Sequence, residues 1–268
     1  MSTSSLRPLA LALIDISGYT RFTKLHRLSA LHAEQIIGEL LEAIIQRAGP
    51  PLMRYEILGD AVSFYATSDG SLALANEIRR QIEAIFDAFR IREGELVSDC
   101  SLCVCEACRS VGKLQLKAIL HHGQAVFSTL LGAQKISGED VILAYRLLKN
   151  SVPNREYVLE TEPFYRLGGD FAGLRSEQRS ESCDEFGAVA VRVYYPGGAA
   201  SVTAAPRSLV NKLRMSIKND WYALQRLFKP APPVRADVLP QYLARRSETV
   251  RFMEQTHFPL GDRKSSPK

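Results

Sequence analysis

The sequence has 268 residues, 46% of them hydrophobic, and a formal net charge of +5, so it can bury a full core and still carry an appended segment. Residues 206–268 hold 13 Lys or Arg against 5 Asp or Glu, a net charge of +8, which leaves −3 for residues 1–205. A basic body that binds nucleic acid is therefore not implied, and we expect no nucleic-acid partner. No apolar run is long enough to span a bilayer, and the run at residues 9–14 lacks a signal-peptide cleavage site, so we expect a cytoplasmic protein.

The N-terminal third predicts a strand, a helix and a hairpin. Residues 9–16 form an apolar run typical of a buried strand. From Ser29 to Arg47 the apolar residues recur at helical spacing until Gly49-Pro50-Pro51 ends the pattern. Residues 53–66 suit two strands around Gly59-Asp60, and this turn places Asp60 at an exposed tip.

The rest of residues 1–200 continues to alternate helices and strands. The patterns predict a helix at 72–89, a strand at 114–122, a loop at 127–138, a helix at 139–150 and strands at 156–160 and 188–195. This order predicts an α+β fold, a mainly antiparallel sheet covered by helices, over residues 1–200. Residues 201–268 form a basic helical extension that we expect to dock on the body or on a dimer partner; contact with a membrane surface is the alternative.

Two aspartates are the first candidates for chemistry. Phosphoryl transfer needs divalent cations on hard oxygen ligands, and carboxylates at neighbouring strand ends provide them. Asp15 lies at the end of the first strand and Asp60 lies at the hairpin tip. Ser17, Gly18, Tyr19 and Thr20 add backbone N–H groups that suit phosphate oxygens. Asp15 and Asp60 are therefore candidates for a Mg²⁺ or Mn²⁺ site that takes a nucleoside triphosphate; turn or cap residues are the alternative.

Four motifs in order carry a family resemblance. Asp15-Ile16-Ser17-Gly18-Tyr19-Thr20, Glu56-Ile57-Leu58-Gly59-Asp60, His122-Gly123 and the segment Val141 to Arg146 resemble those of the class III adenylate and guanylate cyclases. The resemblance implies the ferredoxin-like cyclase fold, metal-binding positions at Asp15, Ile16 and Asp60, and a head-to-tail homodimer. It implies that the dimer converts a nucleoside triphosphate to a 3′,5′-cyclic nucleotide and pyrophosphate.

The same resemblance implies base-binding positions. Glu56 stands four residues before Asp60, where guanylate cyclases have glutamate, and its carboxylate suits the guanine N1–H and amino group. Pairing of Glu56 with a surface cation is the alternative. Lys135 falls at the second specificity position, where a lysine suits a guanine or pyrimidine carbonyl oxygen; a solvated loop lysine is the alternative. GTP is thus favoured, with the base left open.

The same resemblance assigns a role to Arg146, and the sequence departs from the family at two other positions. Arg146 matches the arginine that stabilises the charged transition state, with a helix-surface arginine as the alternative. Ile142 stands where the family has an asparagine that holds the ribose. The turn Asp184-Glu185-Phe186-Gly187 offers no equivalent of the lysine that contacts the triphosphate. These losses predict either a weak cyclase or a catalytically silent cyclase-fold domain that binds nucleotide or metal.

A cysteine cluster lies in an insert at residues 99–109. Cys100, Cys103, Cys105 and Cys108 place four thiols within nine residues. Clustered thiolates favour Zn²⁺ or an iron–sulfur centre, and free or redox-active thiols are the alternative. His121 and His122 adjoin Gly123 at a strand end, and we assign them a structural role.

Overall fold

The computed structural model describes residues 4–19, 22, 27–99, 106–130 and 133–197, with only the helical backbone given for residues 27–32 and 106. The C-terminal extension, Thr20, Cys100, Cys103 and Cys105 lie outside these residues. The helices are α1 Arg27–Arg47, α2 Leu72–Asp99, α3 Glu106–Ser110, α4 Glu139–Arg146 and α5 Glu162–Tyr165. The strands are β1 Ser5–Ser17, β2 Met53–Leu58, β3 Ala61–Thr67, β4 Gln115–Leu130, β5 Ala133–Ser137, β6 Tyr157–Thr161, β7 Arg175–Cys183 and β8 Gly187–Tyr195.

Within the described residues these strands form one sheet in the order β2-β3-β1-β4-β6-β8-β7, and β5 pairs with the far end of β4. The only parallel pair among them is β4 with β6. This confirms the predicted α+β fold with a mainly antiparallel sheet. None of the described helices is long and apolar enough to cross a bilayer.

Strand β1 lies in the middle of the sheet and is buried on both faces. Ala10, Ala12, Ile14 and Ile16 face a core that α1 and α2 cover, and Leu9, Leu11 and Leu13 face a second core beneath α4. A strand buried on both faces needs a continuous apolar run rather than an alternating one, which explains the sequence of β1. By the same alternation, Asp15 lies on the α4 face of the sheet.

The structure differs from the predicted elements at several places along the chain. The segment predicted as a loop at 127–138 contains paired strands instead, because β4 extends to Leu130 and pairs with β5, Ala133–Ser137. Helix α2 continues past residue 89 to Asp99. Strand β7 was not predicted, since its sequence Arg-Ser-Glu-Gln-Arg-Ser-Glu-Ser-Cys has no apolar alternation. It is an edge strand that is mostly exposed, and charged residues are typical of such edges.

Candidate functional site

The sheet register brings four side chains into one row across neighbouring strands. Asp15 pairs with Ala61 of β3 on one side and with Lys117 of β4 on the other, and Lys117 pairs with Tyr157 of β6. Asp60 immediately precedes Ala61, and its carbonyl accepts a hydrogen bond from the Ile16 N–H at 3.2 Å. The register therefore places both predicted metal ligands at the same end of the sheet.

Lys117 is a site residue that the sequence reasoning missed. Its ammonium lies 2.8 Å from a carboxylate oxygen of Asp15 and donates a 2.9 Å hydrogen bond to the carbonyl of Leu148. The ion pair holds the Asp15 carboxylate in one orientation and partly neutralises it. The sequence could have identified Lys117, because it is a single lysine inside the apolar run Leu116-Lys117-Ala118-Ile119. A charge in a buried strand needs a partner.

Asp60 occupies the hairpin tip as predicted, with Gly59 at φ 61° in the turn. Burial, together with the neighbouring Asp15 carboxylate, raises the pKa of Asp60 to about 6, against the opposing effects of a backbone hydrogen bond and of Lys117. Two carboxylates this close repel each other, and a divalent cation between them relieves that repulsion. The donor set thus fits a hard metal ion such as Mg²⁺ or Mn²⁺.

Both aspartates are less exposed than the exposed tip predicted for Asp60. The Asp15 side chain is only 16% exposed, and Asp60 is partly buried. Lys117 and the loop after α4 cover this end of the sheet, which the hairpin pattern alone did not reveal.

These residues line a cleft of about 440 Å³. Asp15, Ile16, Ser17, Gly18, Tyr19 and Asp60 form one wall of it, so most of the predicted metal and phosphate residues come together. Gly18 has φ 99°, a backbone conformation that favours glycine, and its carbonyl accepts a hydrogen bond from the Phe22 N–H at 3.0 Å. The turn after β1 therefore opens its backbone toward the cleft, where an anion is expected.

The opposite wall is the loop between α4 and β6, residues 147–156. Leu148, Lys149, Asn150, Val152, Pro153, Asn154 and Arg155 from it line the cleft. The Asn150 amide donates to the Leu147 carbonyl and to the Tyr157 hydroxyl, both at 2.7 Å. The Ser151 N–H donates to Glu181 of β7 at 2.7 Å. The loop is therefore attached to the sheet on two sides.

His121 and Asp140 fix the start of α4. The His121 ring, which is buried, lies 2.8 Å from the Thr161 hydroxyl and 3.1 Å from Asp140. Asp140 also accepts the Gln124 N–H at 2.6 Å, and the His121 contact lowers the pKa of Asp140. A Cβ at Gly123 would lie 2.2 Å from the Asp140 carboxyl carbon, so only glycine fits there. The His-His-Gly motif thus has a structural role that positions α4.

Neither of the predicted base-binding residues, Glu56 and Lys135, lines this cleft. Glu56 is exposed on β2 and is close enough to α4 that its charge raises the pKa of Tyr145, which burial raises most. The Tyr55 hydroxyl accepts the Ile136 N–H at 3.0 Å, which joins the strand that carries Glu56 to the strand that carries Lys135. Glu56 and Lys135 are both exposed.

Arg146 lies at the end of α4 and is half exposed. Its guanidinium is 3.8 Å from the Glu185 carboxylate, which stands in the β7–β8 turn at φ 74°. The turn that lacks the expected lysine therefore presents an acidic residue to Arg146. Ile142, on the same helix, is 51% exposed, so no polar group replaces the absent asparagine at that position.

The cysteine prediction remains untested. Cys108 is buried on α3, and the other three cysteines lie outside the described residues. Among the residues that the structure describes, no group of three or more His, Cys, Asp or Glu side chains is arranged to hold a metal ion. The Asp15 and Asp60 pair provides two carboxylates, and phosphate oxygens would have to supply further ligands.

Solved structures with a similar fold are nucleotide cyclase domains. The adenylyl cyclase CyaB from P. aeruginosa matches with a TM-score of 0.59 and 15% identity, over 74% of this chain and 98% of that chain. A bacterial light-regulated adenylyl cyclase matches with a TM-score of 0.54 and 13% identity, over 81% and 59%. The guanylyl cyclase Cya2 matches with a TM-score of 0.51 and 14% identity, over 75% and 98%. The chain therefore has the fold of class III nucleotide cyclase domains.

Two matches at the sequence level cover less of the chain. Residues 37–157 match the family described as "Protein of unknown function (DUF2652)". A Mycobacterium tuberculosis protein, Rv2561/Rv2562, is 32% identical over 127 residues, which are 47% of this chain. The aligned segment spans 57% of the length of that relative. Residues 37–157 include Asp60, Lys117 and the loop after α4, whereas Asp15 lies before them.

Proposed function

We propose that the protein is a nucleotide cyclase that converts a nucleoside triphosphate, with GTP favoured, to a 3′,5′-cyclic nucleotide and pyrophosphate in a homodimer. The observation that carries this proposal is the convergence of Asp15, Asp60 and the Ser17-Gly18-Tyr19 turn on one cleft. Carboxylates beside backbone N–H groups suit a metal–triphosphate complex, and the cyclase fold supplies the context.

The reaction balances without a further reactant. The ribose 3′-oxygen forms a bond to the α-phosphorus, the bond from that phosphorus to the pyrophosphate oxygen breaks, and the 3′-hydroxyl proton is released. Divalent metal ions bound at Asp15 and Asp60 would lower the pKa of the attacking hydroxyl and neutralise the leaving pyrophosphate. Lys117, released from Asp15 when that carboxylate takes a metal, would add a positive charge beside the phosphates.

The second half of the reaction centre would come from the dimer partner. Glu56, Lys135 and Arg146 lie apart from the metal cleft on the surface of β2, β5 and α4. In a head-to-tail dimer they would face the base and the α-phosphate held by the other subunit. Apolar side chains exposed on this side of the sheet and on α4, namely Met53, Leu58 and Ile142, support its burial against a second copy.

A second candidate function is a cyclase-fold domain that binds a metal–nucleotide complex without turnover. The observation that favours it is Ile142, which is exposed on α4 and cannot hold a ribose by hydrogen bonding. The contact of Arg146 with Glu185 also favours a domain without turnover, because it draws the guanidinium toward a carboxylate of its own chain.

Incubating the purified protein with Mn²⁺ or Mg²⁺ and each of the four ribonucleoside triphosphates tests both candidates. Mass spectrometry would detect a cyclic nucleotide and pyrophosphate in equal amounts if the protein is a cyclase. Binding without product, lost in Asp60→Asn, would support the silent domain. Absence of metal-dependent binding of every nucleotide would overturn both candidates.

The base preference has its own test. Glu56→Lys removes the acceptor for the guanine N1–H and amino group, and each unpaired donor costs ~1 to 3 kcal/mol. We expect GTP affinity to fall relative to ATP, with Arg54→Ala on the same strand as a control. An unchanged GTP to ATP ratio would show that Glu56 does not select the base.

A further inference from the structure

The metal cleft contains cations that no motif of the sequence identified. Lys149 and Arg155 line the same cleft as Asp15 and Asp60, and both side chains are exposed. Within the described part of the chain, neither residue has an ion pair with a carboxylate. Each positive charge is therefore available to an anionic ligand in the cleft.

The loop that carries these two cations is held in place by contacts on both sides. A chain of polar contacts runs from Asp15 through Lys117 to the Leu148 carbonyl, next to Lys149. Asn150 is bonded to the buried Tyr157, and the Val152 N–H donates to the Asn150 side chain at 3.0 Å. A loop fixed in this way presents its side chains with a smaller loss of conformational entropy on binding.

A second attachment comes from the edge strand β7. Glu181, which is buried, accepts the Ser151 N–H at 2.7 Å and the Ser151 hydroxyl at 3.1 Å. Arg179 of the same strand donates to the Ser151 hydroxyl at 3.0 Å and lies 3.2 Å from Glu181. These contacts anchor the middle of the loop, between Lys149 and Arg155.

The charge of the cleft suits a polyphosphate once metal is present. Lys117, Lys149 and Arg155 against Asp15 and Asp60 give a net formal charge of +1, and each bound divalent ion adds +2. The triphosphate of a nucleotide carries about four negative charges when its terminal phosphate is ionised, as the second pKa near 6 of phosphate esters indicates. Cations on the wall opposite the carboxylates would meet the phosphates that extend beyond the metal.

The β7–β8 turn has the opposite charge. Asp184 and Glu185 occupy the position where the family resemblance places a lysine that contacts the triphosphate, and Glu185 lies 3.8 Å from Arg146. An acidic turn repels a polyphosphate rather than binding it. Positive charge that could bind phosphate is thus absent from the β7–β8 turn and present on the loop at residues 147–156.

We infer that Lys149 and Arg155 bind the β- and γ-phosphates of the nucleotide and replace the lysine that is absent from the β7–β8 turn. This inference rests on the proposed function, because it concerns the same cleft and the same ligand class. It has one structural consequence: metal ligands and triphosphate cations come from a single subunit, so metal–polyphosphate binding does not require the partner.

Calorimetric titration of the full chain with inorganic triphosphate in excess Mn²⁺ tests the inference without requiring turnover. Inorganic triphosphate lacks a base and a ribose, so the contribution of Glu56, Lys135 and Arg146 is removed. We expect Lys149→Gln and Arg155→Gln each to weaken binding by about tenfold, as loss of a charge-assisted hydrogen bond predicts, and the double variant to weaken it by more.

Two controls separate the possible outcomes. Arg166→Gln removes an exposed arginine that lies outside the cleft lining and pairs with Glu162, and it should leave triphosphate binding unchanged. Binding of Mn²⁺ alone should survive in Lys149→Gln and Arg155→Gln, because Asp15 and Asp60 remain. Unchanged triphosphate binding in the double variant, with loss in Asp60→Asn, would overturn the inference and leave the proposed function standing. Wild-type binding that Asp60→Asn does not weaken would overturn the proposed function and the inference together.

Discussion

Two regions of the molecule differ in how many of the groups expected for catalysis are present. The metal end is the end of the sheet that carries Asp15, Asp60 and Lys117, and the α4 surface is the side of α4 that carries Ile142 and Arg146. At the metal end, Asp15 is mostly buried and paired with Lys117, and Asp60 is held by the β1–β3 register. On the α4 surface, Ile142 and Arg146 are about half exposed and the nearest charge to Arg146 is a carboxylate. If the proposed function is correct, this difference predicts that metal–phosphate binding is more robust to mutation than turnover.

Asp60→Asn should have the largest effect and should act on the metal end alone. We expect Mn²⁺–nucleotide affinity to fall by at least about 100-fold, since even residues behind a metal ligand cost 10- to 100-fold. Calorimetric titration measures the loss. A similar loss in Ile142→Asn would remove the distinction between the two regions.

The same variant should be more stable than wild type in metal-free buffer at pH 7.5. The folded pKa of Asp60, about 6, lies above its ordinary value of 3.8, so the folded state binds this proton more tightly than the unfolded state. Stability is therefore gained as the pH falls through about 6, and ionised Asp60 disfavours folding above that pH. We expect Tm to rise by about 2 to 4 °C, roughly 1 kcal/mol after allowance for solvent screening. The difference should shrink toward pH 5; a lower Tm at pH 7.5 would contradict this account.

Lys117→Met should have an intermediate effect on the metal end. The ammonium of Lys117 opposes the rise in the pKa of Asp60, so its removal should move that pKa above about 6. The pH at which half of the Mn²⁺ binding is lost should shift upward in consequence. Lys149→Met, which removes a charge that has no described contact with Asp60, is the matched control. Equal pH midpoints for wild type and Lys117→Met would exclude this coupling.

Ile142→Asn should change turnover through the α4 surface and leave the metal end unaffected. A polar group restored on α4 can hydrogen-bond the ribose, and one such group contributes about 10²-fold to rate in other enzymes. We expect cyclic nucleotide formation to rise by at least about tenfold, while Mn²⁺ binding stays unchanged. A fall in turnover, or no change in it, would show that Ile142 is not what limits the α4 surface.

Glu185→Ala should have the smallest effect. The Glu185 and Arg146 side chains are 71% and 49% exposed, so their ion pair contributes less than about 1 kcal/mol to stability. We expect Tm to change by less than about 2 °C and turnover to rise a few-fold, because Arg146 becomes available to the substrate. A fall in turnover would indicate that Glu185 positions Arg146 productively.

The sequence predicted the metal end better than its surroundings, and the reasons are physical. Asp15 lies at the end of an apolar strand, and Asp60 lies in a turn that contains a glycine. Both features are strong local signals in a sequence. Lys117 and the loop at 147–156 join them only through the β1–β4–β6 register, which no local pattern encodes. Strand β7 escaped prediction because an exposed edge strand buries too little apolar surface to show alternation.

The proposed function requires that ionised Asp60 and Asp15 hold a divalent cation, and Mn²⁺ titration followed by the electron spin resonance of the free ion is the sharpest test of this requirement. The dissociation constant, measured from pH 7.5 to 5.0, should be nearly constant above the Asp60 pKa of about 6 and should weaken progressively below it. Asp60→Asn should bind Mn²⁺ weakly at every pH. A wild-type dissociation constant that does not change across this range, or that Asp60→Asn leaves unaltered, would contradict the account.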